Sequence, residues 1–247
     1  MYQFFVEPHQ VNINDNSVII LGNDVNHIKN VLRMKTGERI VVSNGQDGKA
    51  YECEIAALEE DCVRCRLDSV KEDEAELPVK VYLFQGLPKA DKMELIIQKA
   101  VELGVYQVIP VSTKRCVVKL DDKKAKSKIA RWQGIAEAAA KQSKRGMIPQ
   151  VADVCSFAQA VKRAADMEVR LIPYELAEGM DTTREIMNSL KPGQEVAVFI
   201  GPEGGFEEAE IQLALEHQIQ PITLGRRILR TETAGFTVLS WIMYQMG

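Results

Sequence analysis

No apolar run in the 247-residue chain approaches the roughly 18–20 residues that a membrane-crossing helix needs. Aromatic residues are scarce at 6%, but 46% of the chain is hydrophobic and 27% charged. That balance excludes a disordered chain and a collagen-like fibre. The opening stretch, MYQFFVEPHQ, lacks a basic segment, a long apolar segment and a small-residue cleavage site. The expected location is therefore the cytoplasm. Cysteines number only five, Cys53, Cys62, Cys65, Cys116 and Cys155. An odd, scattered set argues against a disulfide framework. Cys62 and Cys65 form a C-x-x-C with no second pair or nearby histidines to complete a zinc site, so no metal is expected. They lie in an alternating stretch that reads as a strand, where residues three apart face opposite ways. There is no internal repeat and no low-complexity tract. The length suits one to two domains, with a core large enough to need no staple.

The net charge of −4 conceals an uneven distribution. Residues 1–78 carry −7, residues 79–150 carry +9 and residues 151–247 carry −6. Within the basic middle, residues 114–145 hold 11 basic and 3 acidic side chains. A basic segment between acidic flanks suits either a solvated helix face or a surface for phosphate backbones.

Residues 1–70 contain short apolar runs, YQFFV, SVIIL, RIVVS, AYECEIAAL and CVRCRL, separated by turn signals such as Asn44-Gly45 and Asp47-Gly48. They predict a small antiparallel sheet or barrel. One helix is predicted within it, NDVNHIKNVLRM, capped by Asn23 or Asp24, with Val25, Ile28, Val31 and Leu32 inward. KEDEAELP at 71–78 reads as a linker. Beyond it, strands and helices alternate. VKVYLFQG reads as a strand. KADKMELIIQKAVELG reads as a helix with Met93, Ile96, Ile97, Ala100 and Val101 inward and Gly104 at its stop. VYQVIPVS is a strand. Asp121 to Ser143 form a helix with Ile129, Trp132, Ala136 and Ala139 inward and Lys124, Lys128, Arg131 and Lys141 outward. EVRLIPYE, TREIMNSL, EVAVFIG, FEEAEIQLALEHQ, IQPITLG and a last helix from about Glu232 to Tyr244 complete the pattern. Alternation of this kind implies an α/β fold with a covered parallel sheet.

Two glycine-bearing strand ends stand out near the carboxyl end. VAVFIGPEGGFEEAE ends a strand at Gly201 and turns through Pro-Glu-Gly-Gly into an acidic helix. Ligands of α/β proteins bind beyond the carboxyl ends of strands, and glycine lets backbone approach a ligand closely. The loop is neither a Walker loop nor a dinucleotide fingerprint. Glu203 at the bend would repel a phosphate, so an uncharged or cationic ligand fits better. ITLGRRILRTETAGF ends a strand at Gly225 and feeds the last helix, with Thr231 or Thr233 as candidate caps. Arg226, Arg227 and Arg230 cluster there, and arginine suits phosphate or carboxylate recognition.

IGPEGGF at 200–206 and LGRRILRTETA at 224–234 together resemble the paired C-terminal motifs of the ribosomal RNA small-subunit methyltransferase E family. The resemblance runs along the whole chain. HIKNVLRMKTGERI at 27–40 is similar to the family's H-x-x-x-V-L-R motif. QKAVELGVYQVIPVSTKRC at 98–116 and EAAAKQSKRGMIPQV at 137–151 match two further stretches, with Lys141 where a second acidic residue is common. The resemblance implies a PUA-like β-barrel over residues 1–72 that guides RNA. Behind it, residues 73–247 would form a SPOUT methyltransferase domain with a C-terminal trefoil knot. It also implies a homodimer. The implied cofactor is S-adenosyl-L-methionine and the implied substrate small-subunit (16S) ribosomal RNA, met in the assembled subunit and methylated at N3 of a uridine.

Carried over by position, the cofactor residues are Leu171, Ile172, Pro173 and Tyr174; then Ile200, Gly201, Pro202, Glu203 and Gly205; then Leu224, Gly225, Ile228, Leu229, Arg230, Thr231 and Thr233. Gly201, Gly205, Leu224, Gly225, Ile228 and Leu229 can build an apolar slot with backbone donors and acceptors for adenine. Uridine N3 must lose a proton before it becomes a good nucleophile. Arg230 is assigned to the charge that develops on the uracil oxygens. The base is left among Glu203, Glu232, water and the RNA itself. Candidate RNA contacts are His27 and Arg33 in the first domain, with Lys29 and Arg33 four apart on one helix face. Lys89, Lys92, Lys114, Arg115, Lys144 and Arg145 come from the basic middle. The rival readings are a catalytically inactive RNA-binding or ribosome-assembly factor and a SPOUT methyltransferase acting on another RNA.

Overall fold

Alternation of apolar and polar residues makes strands of half of the first 72 residues. A computed structural model describes residues 1–174 and 179–247. The chain divides into two units, Met1–Glu76 with Ala140–Ile148, and Leu77–Ala139 with Pro149–Gly247.

In the first unit, β1 (Gln3–Phe5), β2 (Val11–Asn12), β3 (Ser17–Leu21), β4 (Arg39–Ser43), β5 (Lys49–Leu58) and β6 (Cys62–Glu72) form one sheet in the order β1-β4-β5-β6-β3-β2. The β1–β4 pair is parallel and the others antiparallel. Two register shifts between β5 and β6 bend the pair, as bulges do. Along β5 burial alternates, so Tyr51, Cys53 and Ile55 enter a core with Val18, Ile20, Ile40, Val42 and Val63. Gly45 (φ +71°) and Gly48 (φ +66°) make the predicted turns. Residues 140–148 join this unit through Gly45: Met147 bridges to it, and the Ile148 amide donates to its carbonyl at 2.9 Å.

The predicted first helix is shorter than its pattern. α1 covers Asn23–Asn26 and follows Gly22 (φ +74°), so neither Asn23 nor Asp24 is the cap. A wider turn, His27–Val31, comes next, closed by the Leu32 amide on the His27 carbonyl at 2.9 Å. That bond spans five residues and puts one extra residue into the turn. Val25 and Ile28 stay buried, but Val31 is rotated out to 62% exposure. Arg33 then takes φ +54°.

Cys65 packs in the core, whereas Cys62 donates to Glu59 at 3.2 Å. Burial pushes the thiols of Cys53 and Cys65 up to about 12 from an ordinary value of 9.0. As pH rises past 9 the unfolded thiols lose protons before the folded ones do, so stability declines between about pH 9 and pH 12. In the folded protein these two cysteines are expected to resist iodoacetamide at pH 8.5 and to react once urea unfolds the chain. Mass spectrometry reads the difference, and labelling of both in the native protein would contradict the packing.

The second unit consists of β7 (Lys80–Gly86), α2 (Lys92–Glu102), β8 (Gln107–Ser112), α3 (Asp122–Ser143, its last turn in the first unit), β9 (Gln150–Val151), β10 (Cys155–Ser156), α4 (Phe157–Arg163), β11 (Val169–Pro173), α5 (Met180–Asn188), β12 (Glu195–Ile200), α6 (Glu208–Glu216), β13 (Gln220–Ile222) and α7 (Thr231–Met246). Glu175, the end of the predicted EVRLIPYE strand, lies outside the described residues. The sheet order is β10-β8-β7-β12-β11-β13, with β9 beside β8, and every pair is parallel. Parallel central strands are buried on both faces, which explains apolar runs such as VAVFI. Phe84 and Phe199 stack at 4.5 Å between the two central strands.

α2 buries the five residues its pattern singles out, and Gly104 (φ +88°) follows its end. Three elements lie outside the predicted alternation, β9, β10 and α4. The signal for α4 was present in Ser156-x-x-Gln159, a capping box in which both reciprocal bonds form.

Candidate active site

Because the strands run parallel, the carboxyl ends of β7, β12, β11 and β13 lie side by side. The register pairs Gln85 with Ile200, Leu171 with Val198 and Pro173 with Ile222. Both glycine-bearing loops therefore open on the same end of the sheet. In the first, the Gly205 amide donates to the Pro202 carbonyl at 2.9 Å and Gly205 takes φ +67°. The turn lies directly on β7. A Cβ on Gly86 would come within 2.7 Å of both the Pro202 nitrogen and its ring, so glycine is required there. In the second loop Gly225 takes φ +99°.

Polar ties hold the loops to the sheet and to each other. Gln85, at 0% exposure, donates from Nε2 to the Gly86 carbonyl at 3.0 Å and to the Thr231 hydroxyl at 2.9 Å. Thr231 donates in turn to the Gly201 carbonyl at 2.6 Å. Lys92, at the start of α2, places its ammonium 3.1 Å from Glu203 and 3.3 Å from Glu232. The Lys89 amide donates to both Glu203 oxygens, at 3.1 and 3.2 Å. Arg115 donates to the Gly204 carbonyl at 3.0 Å. Burial works to raise the Glu203 carboxyl. Its own backbone amide, the Lys92 ammonium and the Lys89 amide outweigh burial and hold it below the usual carboxylate range. The chain thus presents a fixed carboxylate at the loop, not one poised to take up a proton.

The residues assigned to the cofactor fall at this one end. Leu171, Ile172, Ile200 and Pro202 are buried; Pro173, Tyr174, Gly201, Gly205, Leu224, Gly225 and Leu229 are half-buried. Glu203 and Thr233 are exposed, and Ile228 is 84% exposed, an apolar side chain held out in solvent. Neither threonine caps α7. The cap position is Arg230, whose guanidinium has no acceptor to close it, and Thr231, the first helical residue, donates its hydroxyl to Gly201. Arg226, Arg227 and Arg230 are exposed and form no ion pair among the described residues. Three cations just before a helix N-terminus oppose its dipole. Helix stability therefore does not account for them.

The residues assigned to RNA differ in availability. Lys89, Lys114 and Lys144 are exposed, with no ion pair among the described residues. Lys92 is instead committed to two carboxylates, and Arg115 to the Gly204 carbonyl. Arg145 is a correction: it is 3% exposed and forms a bidentate pair with Glu76, Nε–Oε1 at 3.1 Å and Nη2–Oε2 at 2.5 Å. No phosphate can reach it there. His27 is exposed with its ring edge toward Phe4 at 6.4 Å. Arg33 is exposed but shares no helix face with Lys29, because the helix has ended. Lys29 donates instead to the Glu59 carbonyl at 2.5 Å.

Two residues of the site went unnoticed in the sequence. Gln85 had one signal, a lone amide in the apolar run VYLFQG. Glu210, 7% exposed, accepts the Lys114 and Glu207 amides at 3.0 and 2.9 Å and so joins the β8 loop to α6. Its signal was a capping-box spacing from Glu207.

Residues 75–243 match the RNA methyltransferase domain, and residues 20–68 match the RNA methyltransferase PUA domain. The fold is that of an RNA methyltransferase with an attached PUA domain. The chain is 42% identical to Ribosomal RNA small subunit methyltransferase E of Bacillus subtilis, over 99% of this chain and 97% of that protein. It is 33% identical to the protein of that name from Mesomycoplasma hyopneumoniae, over 97% and 98%. A crystal structure of the Neisseria gonorrhoeae Ribosomal RNA small subunit methyltransferase E bound to S-adenosyl methionine aligns with a TM-score of 0.77 at 32% identity, covering 97% of this chain and 96% of that one. The chain belongs to the ribosomal RNA small subunit methyltransferase E family.

Proposed function

We propose that this chain methylates N3 of a uridine in 16S ribosomal RNA, using S-adenosyl-L-methionine and acting on the assembled small subunit. The observation that carries this reading is the meeting of the two glycine-bearing loops at one end of the parallel sheet, tied through Thr231 and Gly201. Its support from comparison is a relative that binds the cofactor on the same fold. The proposal includes the SPOUT trefoil knot over the C-terminal loops, a homodimer and a cytoplasmic location. Among the described residues no helix is long and apolar enough to cross a membrane.

The residues present suit the cofactor. Leu171, Ile172 and Ile200 supply apolar strand ends for an adenine. Gly205 and Gly225, both in the left-handed region, put no side chain between it and the loop backbone. Glu203 tolerates a cation nearby. When bound, S-adenosyl-L-methionine supplies an electrophilic methyl group on a cationic sulfonium. Arg230, exposed and with no ion pair among the described residues, stabilises charge on the uracil oxygens as the N3 proton leaves. The Lys92 ammonium pairs with both Glu203 and Glu232; Glu203, held below the usual carboxylate range, is a poor proton acceptor, which leaves Glu232, water or the RNA in that role. Of the candidate RNA contacts from the basic middle, Lys89, Lys114 and Lys144 have no ion pair among the described residues and can meet phosphates.

The test uses S-adenosyl-L-methionine with a labelled methyl group and small subunits from cells lacking the enzyme. After digestion to nucleosides, N3-methyluridine is expected as the sole labelled product. Label in another nucleoside, or in added transfer RNA only, would refute the substrate assignment.

A further inference from the structure

We propose that Gln85 is a positioning residue: through Thr231 it sets the orientation of the Gly201 peptide, and so of the backbone that receives the cofactor. The proposal rests on the reading of loops 200–206 and 224–234 as the cofactor site. Gln85 ends an otherwise apolar strand at 0% exposure. Its Nε2 reaches the Thr231 hydroxyl at 2.9 Å, and that hydroxyl reaches the Gly201 carbonyl at 2.6 Å. Its Oε1 is buried with no hydrogen-bond partner among the described residues.

An unpaired buried acceptor costs stability. A methionine of similar length would fill the space without that cost. Stability therefore does not explain the amide; direction does. A threonine hydroxyl rotates freely and carries one proton. With Nε2 donating into its oxygen, that proton is left to Gly201. The Gly201 carbonyl is drawn toward the start of α7, and the first peptide of the loop cannot turn over. Gly86 supports the same arrangement from below, since a Cβ there would strike Pro202 at 2.7 Å. One buried relay thereby links the end of β7 with the end of β12, where the first loop departs, and the start of α7, where the second loop ends.

The experiment compares wild type with Q85M, T231V and T231S as full-length proteins. It measures S-adenosyl-L-methionine binding by calorimetry, thermal unfolding, and steady-state kinetics on unmodified small subunits. Q85M is expected to unfold no earlier than wild type yet to bind the cofactor about tenfold more weakly, with KM for the cofactor raised to match and kcat moved less. T231V should lose affinity similarly, whereas T231S, which keeps the hydroxyl, should regain most of the affinity that T231V loses. Unchanged affinity in Q85M would overturn the proposal. So would a parallel fall of stability and affinity, which is the mark of a structural role. A wild type that binds no cofactor would overturn the cofactor reading and this proposal with it; a binding wild type with unaffected variants overturns this proposal alone.

Discussion

Arg230→Ala is expected to lower turnover by about 100- to 1,000-fold while changing cofactor affinity by less than about threefold. Arg230 stands at the cap position of α7 with an exposed side chain and no ion pair among the described residues. A cation there opposes the helix dipole, so its removal should leave the fold intact or slightly firmer. In the proposed reaction negative charge grows on uracil O2 and O4 in the transition state, and the proposal assigns its stabilisation to this guanidinium. Higher pH removes the N3 proton without that help, so part of the lost rate should return as pH rises. Single-turnover rates and calorimetry separate the two effects. Equal losses of rate and cofactor affinity would make Arg230 a binding residue and refute the assignment.

Arg145→Ala is expected to destabilise the protein by about 3–5 kcal/mol. The Arg145 side chain is 3% exposed and Glu76 16% exposed, so truncation leaves a carboxylate with little water around it. Glu76 also accepts the Met147 amide at 3.1 Å, and Gln3 donates to the Arg145 carbonyl at 3.1 Å, so the pair fastens residues 140–148 to their unit. Urea unfolding should show a lower midpoint, with a double variant carrying Glu76→Gln losing less than the sum of the two single changes. Neighbouring Lys144→Ala makes the contrast. Lys144 is exposed, so stability should hold, while the salt dependence of RNA affinity should lose about one unit of slope. A drop in salt slope with Arg145→Ala at unchanged stability would return Arg145 to the RNA surface.

These neighbours illustrate what a sequence conveys. Lys144 and Arg145 are equivalent as basic letters, and nothing local distinguishes a solvated cation from one paired to Glu76, 69 positions away. Lys92 presents the same difficulty: its partners Glu203, in a loop, and Glu232, in the first turn of α7, come more than a hundred residues later. Helix α2 was legible down to its five buried residues, because its apolar period is local and strong. The helix at Asn23 was only half legible. Its period continued to Leu32, but the turn opened at His27.

The sequence by itself determined the class of fold, the strand and helix alternation, the two glycine-bearing loops and, through their motifs, the family. Each of those rests on periodicity or on residues adjacent in the chain. Only the tertiary structure decided which charges are free, which carboxylates share the Lys92 ammonium, and that Gln85 reaches Thr231 across 146 positions. Parallel strands bring together chain segments far apart in order, and the energy of a buried charge or amide depends on those distant partners rather than on its own neighbours.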